Sequence, residues 1–130
     1  MNEPIKHHFV PSFYLANWCE GDGMVPWFMR GADGAIYEGR GKPDQIAFEK
    51  RLYSYERVPE EQRQAVEKRF FSAEVDNRAA PILSKLLDGG VDDLIAEERI
   101  YWTRFLIAAR LRVPELVNDL KKTAAQELDR

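Results

Sequence analysis

The pattern of hydrophobic and polar positions divides the chain into a short N-terminal part and a longer helical part. In the N-terminal part, Tyr14 and Trp18 lie four residues apart, which predicts a short helix from Pro11 to Cys19. The two apolar runs that follow, VPWFMR and AIYEGRG, flank the glycine- and aspartate-containing connection GADG. Two such runs around a turn sequence predict a β-hairpin, with Pro26 on an edge strand.

The longest helical pattern covers residues 58–90. Pro81 lies inside this pattern and removes one backbone hydrogen bond, so we expect a kink or a break between Asn77 and Pro81. The apolar positions that we expect to face the core are Val66, Phe70, Ala73, Ala80, Leu83 and Leu87.

Three further segments complete the helical part. We expect one helix to begin at about Asp44 and to include Tyr53. A second helix, over residues 91–112, is apolar on nearly all sides after Ile100, which predicts the central and most buried helix of the protein. The last segment, residues 114–130, has leucines at the spacing of an amphipathic helix.

Together these elements predict a mostly helical α+β fold. A small N-terminal β-hairpin would pack on a bundle of three to four helices, in a single domain over residues 1–130. Residues 1–43 would hold the first helix and the hairpin, and residues 44–130 would form the bundle.

Composition and charge narrow the class of protein. The net charge is −3, which does not favour nucleic acid as the main partner. The single cysteine, Cys19, excludes an intrachain disulfide and favours the cytoplasm. With only two histidines beside it, a four-ligand structural zinc site is excluded. Neither a signal-peptide pattern nor an apolar stretch long enough for a membrane span is present, so we expect a soluble protein.

The two histidines, His7 and His8, are the first candidates for chemistry. In an extended segment their side chains point to opposite faces, so at most one of them faces the core or a cleft. We expect His8 to be that residue, as a general base or as a ligand of a divalent metal ion. The carboxylate partner would be Glu49, Glu56 or Glu74. The alternative is a half-buried histidine that is bonded to a backbone carbonyl.

Three arginines form the second candidate set, because they lie on the most apolar helix: Arg104, Arg110 and Arg112. An arginine on an apolar helix must form an ion pair, extend its side chain so that the guanidinium reaches solvent, or bind a ligand. We expect ion pairs with Glu67 or Glu74 on the preceding helix. The alternative is that Arg104 and Arg112 line a phosphate or carboxylate pocket.

The aromatic residues supply one more binding candidate, Tyr14, which lies in the stretch HHFVPSFYLANW. A stacking surface for nucleic acid would use such residues together with the tryptophans. Because the chain lacks a basic background, we expect packing instead. Cys19 is likewise expected in the core rather than as a nucleophile.

The opening HHFVPSFYLANW, with His-His, Val-Pro and Phe-Tyr-Leu in that order, resembles the start of the family known as domain of unknown function 4238. PDQIAFEKRLYSYE is similar to the segment of the family that leads to a tyrosine, and FFSAEVDNRAAPILSKL to its acid-bearing helix, with Glu74 at the acidic position. YWTRFLIAARLRVPE resembles its helix that ends in Arg-x-Pro, here Arg112 to Pro114. The resemblance implies no established activity. It does imply a short member or the equivalent of an N-terminal half, because family members run longer.

Two functional hypotheses of different class follow. The first is a noncatalytic binding or regulatory module with a protein partner, which would be a separate chain or a C-terminal half. The second is a His-centred hydrolase, such as a metal-assisted nuclease, in which His8 acts with a carboxylate. The opening is loosely similar to that of His-Asn-His nucleases, which need a further histidine that is lacking after His8.

Overall fold

The computed structural model describes residues 6–54, 59, 62–63 and 65–129, with the side chains of all of these except Glu67 and Lys68. The described part is a mostly helical α+β fold, as the sequence predicted. Its strands are β1 (Lys6–His8), β2 (Val25–Arg30), β3 (Ile36–Gly41) and β4 (Phe48–Lys50). Its α-helices are α1 (Ser12–Leu15), α2 (Asn77–Asp88), α3 (Ala96–Leu111) and α4 (Pro114–Leu128).

The predicted hairpin is confirmed as the antiparallel pair β2–β3. Its connection turns at Gly34, where φ is +82° and a residue without a side chain is favoured. The Asp33 carboxylate accepts a hydrogen bond from the Ala35 N–H at 3.0 Å, which fixes the turn. At the other end of the hairpin, Val25 and Gly41 are buried and join it to the rest of the domain.

The helix predicted from Asp44 is wrong, because this segment forms strand β4 and pairs antiparallel with β1. His7 lies opposite Glu49 in this ladder. The backbone φ angles of Ala47 and Arg51, +53° and +58°, are in the left-handed region and end the strand on both sides.

The long helical segment begins, in the described residues, as a π-helix over Val66–Asp76 that continues directly into α2. Asn77 donates its backbone N–H to Ser72 O, the i to i+5 bond of a π-helix. The register therefore changes at Asn77, inside the stretch where a break was predicted, and α2 runs on through Pro81. The predicted start near Pro59 falls partly on residues outside the described ones.

The hydrophobic core lies where the segment after β4, the π-helix, α2 and α3 meet. The buried cluster consists of Leu52, Tyr53, Phe71, Val75, Ala79, Phe105 and Ala108. The buried face of the π-helix and α2 thus runs through Phe71, Val75 and Ala79. The predicted face was wrong in part, since Phe70 and Leu87 are exposed.

The prediction that α3 is the most buried helix is also wrong. Phe105 and Ala108 are its buried residues, whereas Ile100, Ile107 and Leu111 expose 54–55% of their surface. No helix in the described part of the chain combines the length and the apolar character that a membrane span requires. The last helix, α4, follows Pro114 and has no fully buried residue, so most of it projects from the core.

Candidate functional site

The opening stretch places His7 in the core. Its side chain is 0% exposed, and its Nδ1 accepts a hydrogen bond from the Tyr53 backbone N–H at 2.9 Å. The ring stacks on the Tyr53 ring, with centroids 5.5 Å apart and planes 8° from parallel. An imidazole nitrogen that accepts from an N–H carries no proton, so His7 is neutral with its proton on Nε2. The core-facing histidine is therefore His7 and not His8.

His8 lies on the opposite face of β1 and is half-buried. Its Nε2 is 3.5 Å from the Ser12 hydroxyl oxygen, and this hydroxyl donates its proton to Pro43 O at 3.3 Å. Burial lowers the pKa of His8 below 6.5, against the opposing effect of a hydrogen bond with the Asp44 backbone. His8 is therefore mostly neutral at pH 7 and lies among a hydroxyl and backbone carbonyl groups.

Tyr53 links this strand to the end of α3. Its hydroxyl oxygen is 3.0 Å from Arg112 O and 3.3 Å from His8 O, so its one proton is offered to two carbonyl groups. The ring packs on Phe71 at a centroid distance of 4.6 Å. One tyrosine thus holds together β1, the segment after β4, the π-helix and the C-terminal end of α3.

Arg112 is the buried charge of this cluster, with 1% of its surface exposed. Its NH2 and NH1 nitrogens donate to the two Asp76 carboxylate oxygens at 2.9 and 3.2 Å. The guanidinium carbon lies 4.9 Å from the centre of the Phe71 ring and 5.9 Å from that of Phe105. Burial raises the pKa of Asp76, and the Arg112 guanidinium opposes this rise. The described residues give the Arg112 Nε no hydrogen-bond partner.

Arg112, the residue directly after α3, forms an ion pair as predicted, and its partner in the described residues is Asp76. Glu74 lies on the surface and pairs at 3.4 Å with Arg78, four residues later at the start of α2. The Glu67 side chain is outside the described residues. Arg104 is exposed, with its guanidinium 5.7 Å from the centre of the Tyr101 ring. Asp76 was not among the predicted residues, although it directly follows Val75 on the buried face.

Of the carboxylates predicted as partners of His8, the two described ones, Glu49 and Glu74, form no hydrogen bond with it. Glu49 is half-buried, and its Oε1 accepts a hydrogen bond from the Asn118 amide at 3.4 Å. Glu56 lies outside the described residues. In the described part of the chain, no group of three or more His, Cys, Asp or Glu side chains is placed to hold a metal ion. Cys19 is half-buried, and its thiol donates to Gly23 O at 3.4 Å in a turn rather than in the core.

An apolar groove of about 230 Å³ opens beside this network. One wall is the opening stretch itself and the other is the C-terminal half of α3 with the residue that follows it. The lining side chains are Phe9, Val10, Pro11, Tyr14, Phe105, Leu106, Ala109 and Val113. Tyr14, a predicted binding residue, therefore lies in the groove. A second hollow of about 370 Å³ lies on the hairpin, around Trp27 and Arg40, and has no histidine in its lining.

The groove is formed by segments that the buried network holds in place. Phe9 and Val10 donate their backbone N–H groups to Ala47 O at 3.0 and 3.4 Å, which fixes the wall after β1. On the other wall, the Tyr53 hydroxyl bonds to the carbonyl of Arg112, directly before Val113. The backbone bonds of Phe9, Val10 and Arg112 therefore fix both walls of the groove.

The sequence model of a family described as Protein of unknown function (DUF4238) matches residues 6–130. This match covers nearly the whole chain and confirms the predicted family. No curated protein matches the chain, and no solved structure matches it.

Proposed function

Since this chain belongs to the family described as Protein of unknown function (DUF4238), whose description names no activity, we propose its function from its geometry. The protein is a noncatalytic binding module that holds an apolar side chain of a protein partner in the groove between the opening stretch and α3. The observation that carries this proposal is the lining of the groove, in which aromatic and aliphatic side chains of Phe9, Tyr14 and Leu106 converge on an open space. Such concave apolar sites are where ligands bind most often.

The expected affinity contribution follows from the size of the groove. Burying one leucine- or phenylalanine-sized side chain contributes about 1.5–3 kcal/mol. That free energy corresponds to roughly a 10- to 150-fold change in the dissociation constant. Because the walls are already fixed, little of this gain is lost to ordering the groove on binding.

The positions of the histidines support the same proposal. His7 serves the fold, since its Nδ1 accepts the Tyr53 N–H in the core. His8 contacts a hydroxyl and backbone groups, and no hydrogen bond joins it to a carboxylate in the described residues. The opening stretch thus forms one wall of the groove, and His7 bonds that stretch to the core. The partner is proposed to be a protein in the cytoplasm, either a separate chain or a C-terminal continuation of this one.

Selection from a displayed library of short peptides tests this proposal. The probes are linear peptides, and the selected ones are expected to share one large apolar residue. Their binding should weaken at least about tenfold in Leu106→Asp, because the groove loses an apolar wall. Leu128→Asp, which changes another exposed leucine at the end of α4, is the matched control and should bind normally. Peptides without a common apolar residue, or equal binding by both variants, would overturn the proposal.

A His-centred hydrolase is the second candidate, and one observation favours it. The Ser12 hydroxyl lies 3.5 Å from His8 Nε2, a little beyond the distance at which a histidine activates a nucleophile. The lowered pKa of His8 keeps its ring in the basic form at neutral pH. Incubation with a panel of esters and with nucleic acid plus Mg²⁺ or Mn²⁺ tests this candidate. Hydrolysis that both Ser12→Ala and His8→Ala abolish would support it, and activity unchanged in both variants would reject it.

A further inference from the structure

The outer face of α3 carries a second apolar surface, separate from the groove. Ile100, Ile107 and Leu111 are spaced at i, i+7 and i+11, which places them in one row along the helix. Each exposes 54–55% of its surface. We name these three residues the α3 row. Leu106, which lines the groove, lies on a different side of the helix because its position is about 100° away from that of Ile107.

Positive charge accompanies the α3 row. Arg104 and Arg110 are exposed on the two sides of the row, and neither lies within ion-pair distance of a carboxylate in the described residues. Between Arg99 and Val113 the sequence contains no Asp or Glu. A net charge of −3 for the whole chain makes this basic apolar face a local feature of α3.

We propose that the α3 row is the docking surface for an acidic amphipathic helix of a protein partner. Apolar side chains of the partner cover the row, and carboxylates on its flanks pair with Arg104 and Arg110. A helix laid along another helix contacts it through residues at this spacing. This docking surface uses other side chains than the groove does, so it goes beyond the proposed groove function and does not depend on it.

Charge complementarity selects this occupant over two others. A second copy docked through its own α3 row would bring arginines against arginines, which is repulsive. An anionic membrane would attract Arg104 and Arg110, yet it would repel a chain whose net charge is negative. An acidic helix satisfies both the apolar row and the two arginines.

The test uses two synthetic helical peptides with the same leucines on one face. One peptide carries glutamates on the flanks, and the other carries lysines at the same positions. The glutamate peptide is expected to bind the full chain and the lysine peptide to bind at least about tenfold more weakly. Ile107→Asp should weaken glutamate-peptide binding about tenfold or more, whereas Leu120→Asp, on an exposed leucine of α4, should not.

A charge exchange makes the test independent of any loss of folding. The double variant Arg104→Glu/Arg110→Glu changes two exposed side chains and should reverse the preference, binding the lysine peptide better than the glutamate peptide. Equal binding of the two peptides by the unmodified chain would overturn the proposal. So would a dimer that Ile107→Asp dissociates, or Ile107-dependent binding to phosphatidylserine vesicles without discrimination between the peptides.

Discussion

The buried imidazole of His7 accepts a hydrogen bond from the backbone N–H of Tyr53, 46 positions later in the chain, at 2.9 Å. This one bond joins the first strand to the core, where Tyr53 is itself 5% exposed. Backbone N–H groups that are buried need a partner, and here a side chain supplies it. Of the two adjacent histidines, His7 thus lies in the core and His8 lies at its edge.

His7→Ala should destabilise the fold by about 2–4 kcal/mol. The variant leaves the Tyr53 N–H without its acceptor and creates a cavity against the Tyr53 ring. His7→Asn, whose side-chain oxygen can take the place of Nδ1, should lose less. Urea unfolding followed by circular dichroism measures both. If His8→Ala costs as much as His7→Ala, the structural role assigned to His7 is wrong.

Breaking the Arg112–Asp76 pair should be costly, because each variant leaves a buried charge without its partner. Asp76→Leu and Arg112→Met should each destabilise by about 3–5 kcal/mol. The double variant Arg112→Met/Asp76→Leu removes both charges and should recover part of this loss. Unfolding free energies of the unmodified protein and these variants measure the coupling between the two side chains. Additive losses would show that the two side chains do not interact.

Acidification should destabilise the protein through His8. Its pKa is lower in the folded protein than the unfolded value of about 6.5, so the unfolded chain binds the proton more tightly. The stability due to its neutral ring is complete above pH 6.5 and is lost as pH falls through the folded pKa. Asp76 has a raised pKa, so its contribution to stability has the opposite sign: it is complete below pH 3.8 and is lost as pH rises through the folded pKa.

Urea unfolding at a series of pH values between 8 and 5 checks this dependence. His8→Asn should flatten the slope of the unfolding free energy against pH in this range, because it removes the ring whose pKa is lowered. A slope that is unchanged in His8→Asn, or stability that rises on acidification through this range, would contradict the assigned direction.

Glycine at the two left-handed positions should stabilise the protein. Ala47 and Arg51 have φ angles of +53° and +58°, which strain residues with a β-carbon. Ala47→Gly and Arg51→Gly should therefore gain up to about 1 kcal/mol. Thermal unfolding measures the change. The helix that the sequence predicted here would instead lose about 1 kcal/mol for each glycine, so the sign of the effect distinguishes the two structures.

The sequence predicted those elements whose signals are local. The hairpin follows from its turn residues, and α4 follows from Pro114 and the leucines after it. Strand β4 was missed because its partner, β1, lies far away in sequence, and nothing within residues 48–50 indicates that pairing. Three residues are too few to show the alternation of a strand.

The sequence indicated one member of the buried Arg112–Asp76 ion pair. Arg112 was singled out because a charge on an apolar helix must be satisfied, which holds whatever the fold. Its partner Asp76 was missed because the buried face of the preceding helix was predicted wrongly. The adjacent Phe70 and Phe71 are compatible with two different apolar faces, and the π-helix has a residue spacing that the prediction of an α-helix did not include. The exposure of α3 was missed because apolarity alone does not tell how many other elements cover a helix.

Titration calorimetry with a peptide selected on the unmodified chain tests the central claim, that the groove and not the histidine pair is the functional site. The unmodified protein, Leu106→Asp and His8→Ala are compared. We predict that Leu106→Asp loses at least about tenfold in affinity, while His8→Ala stays within about twofold of the unmodified protein. Loss of binding in His8→Ala with full affinity in Leu106→Asp would contradict the account and place the function at His8.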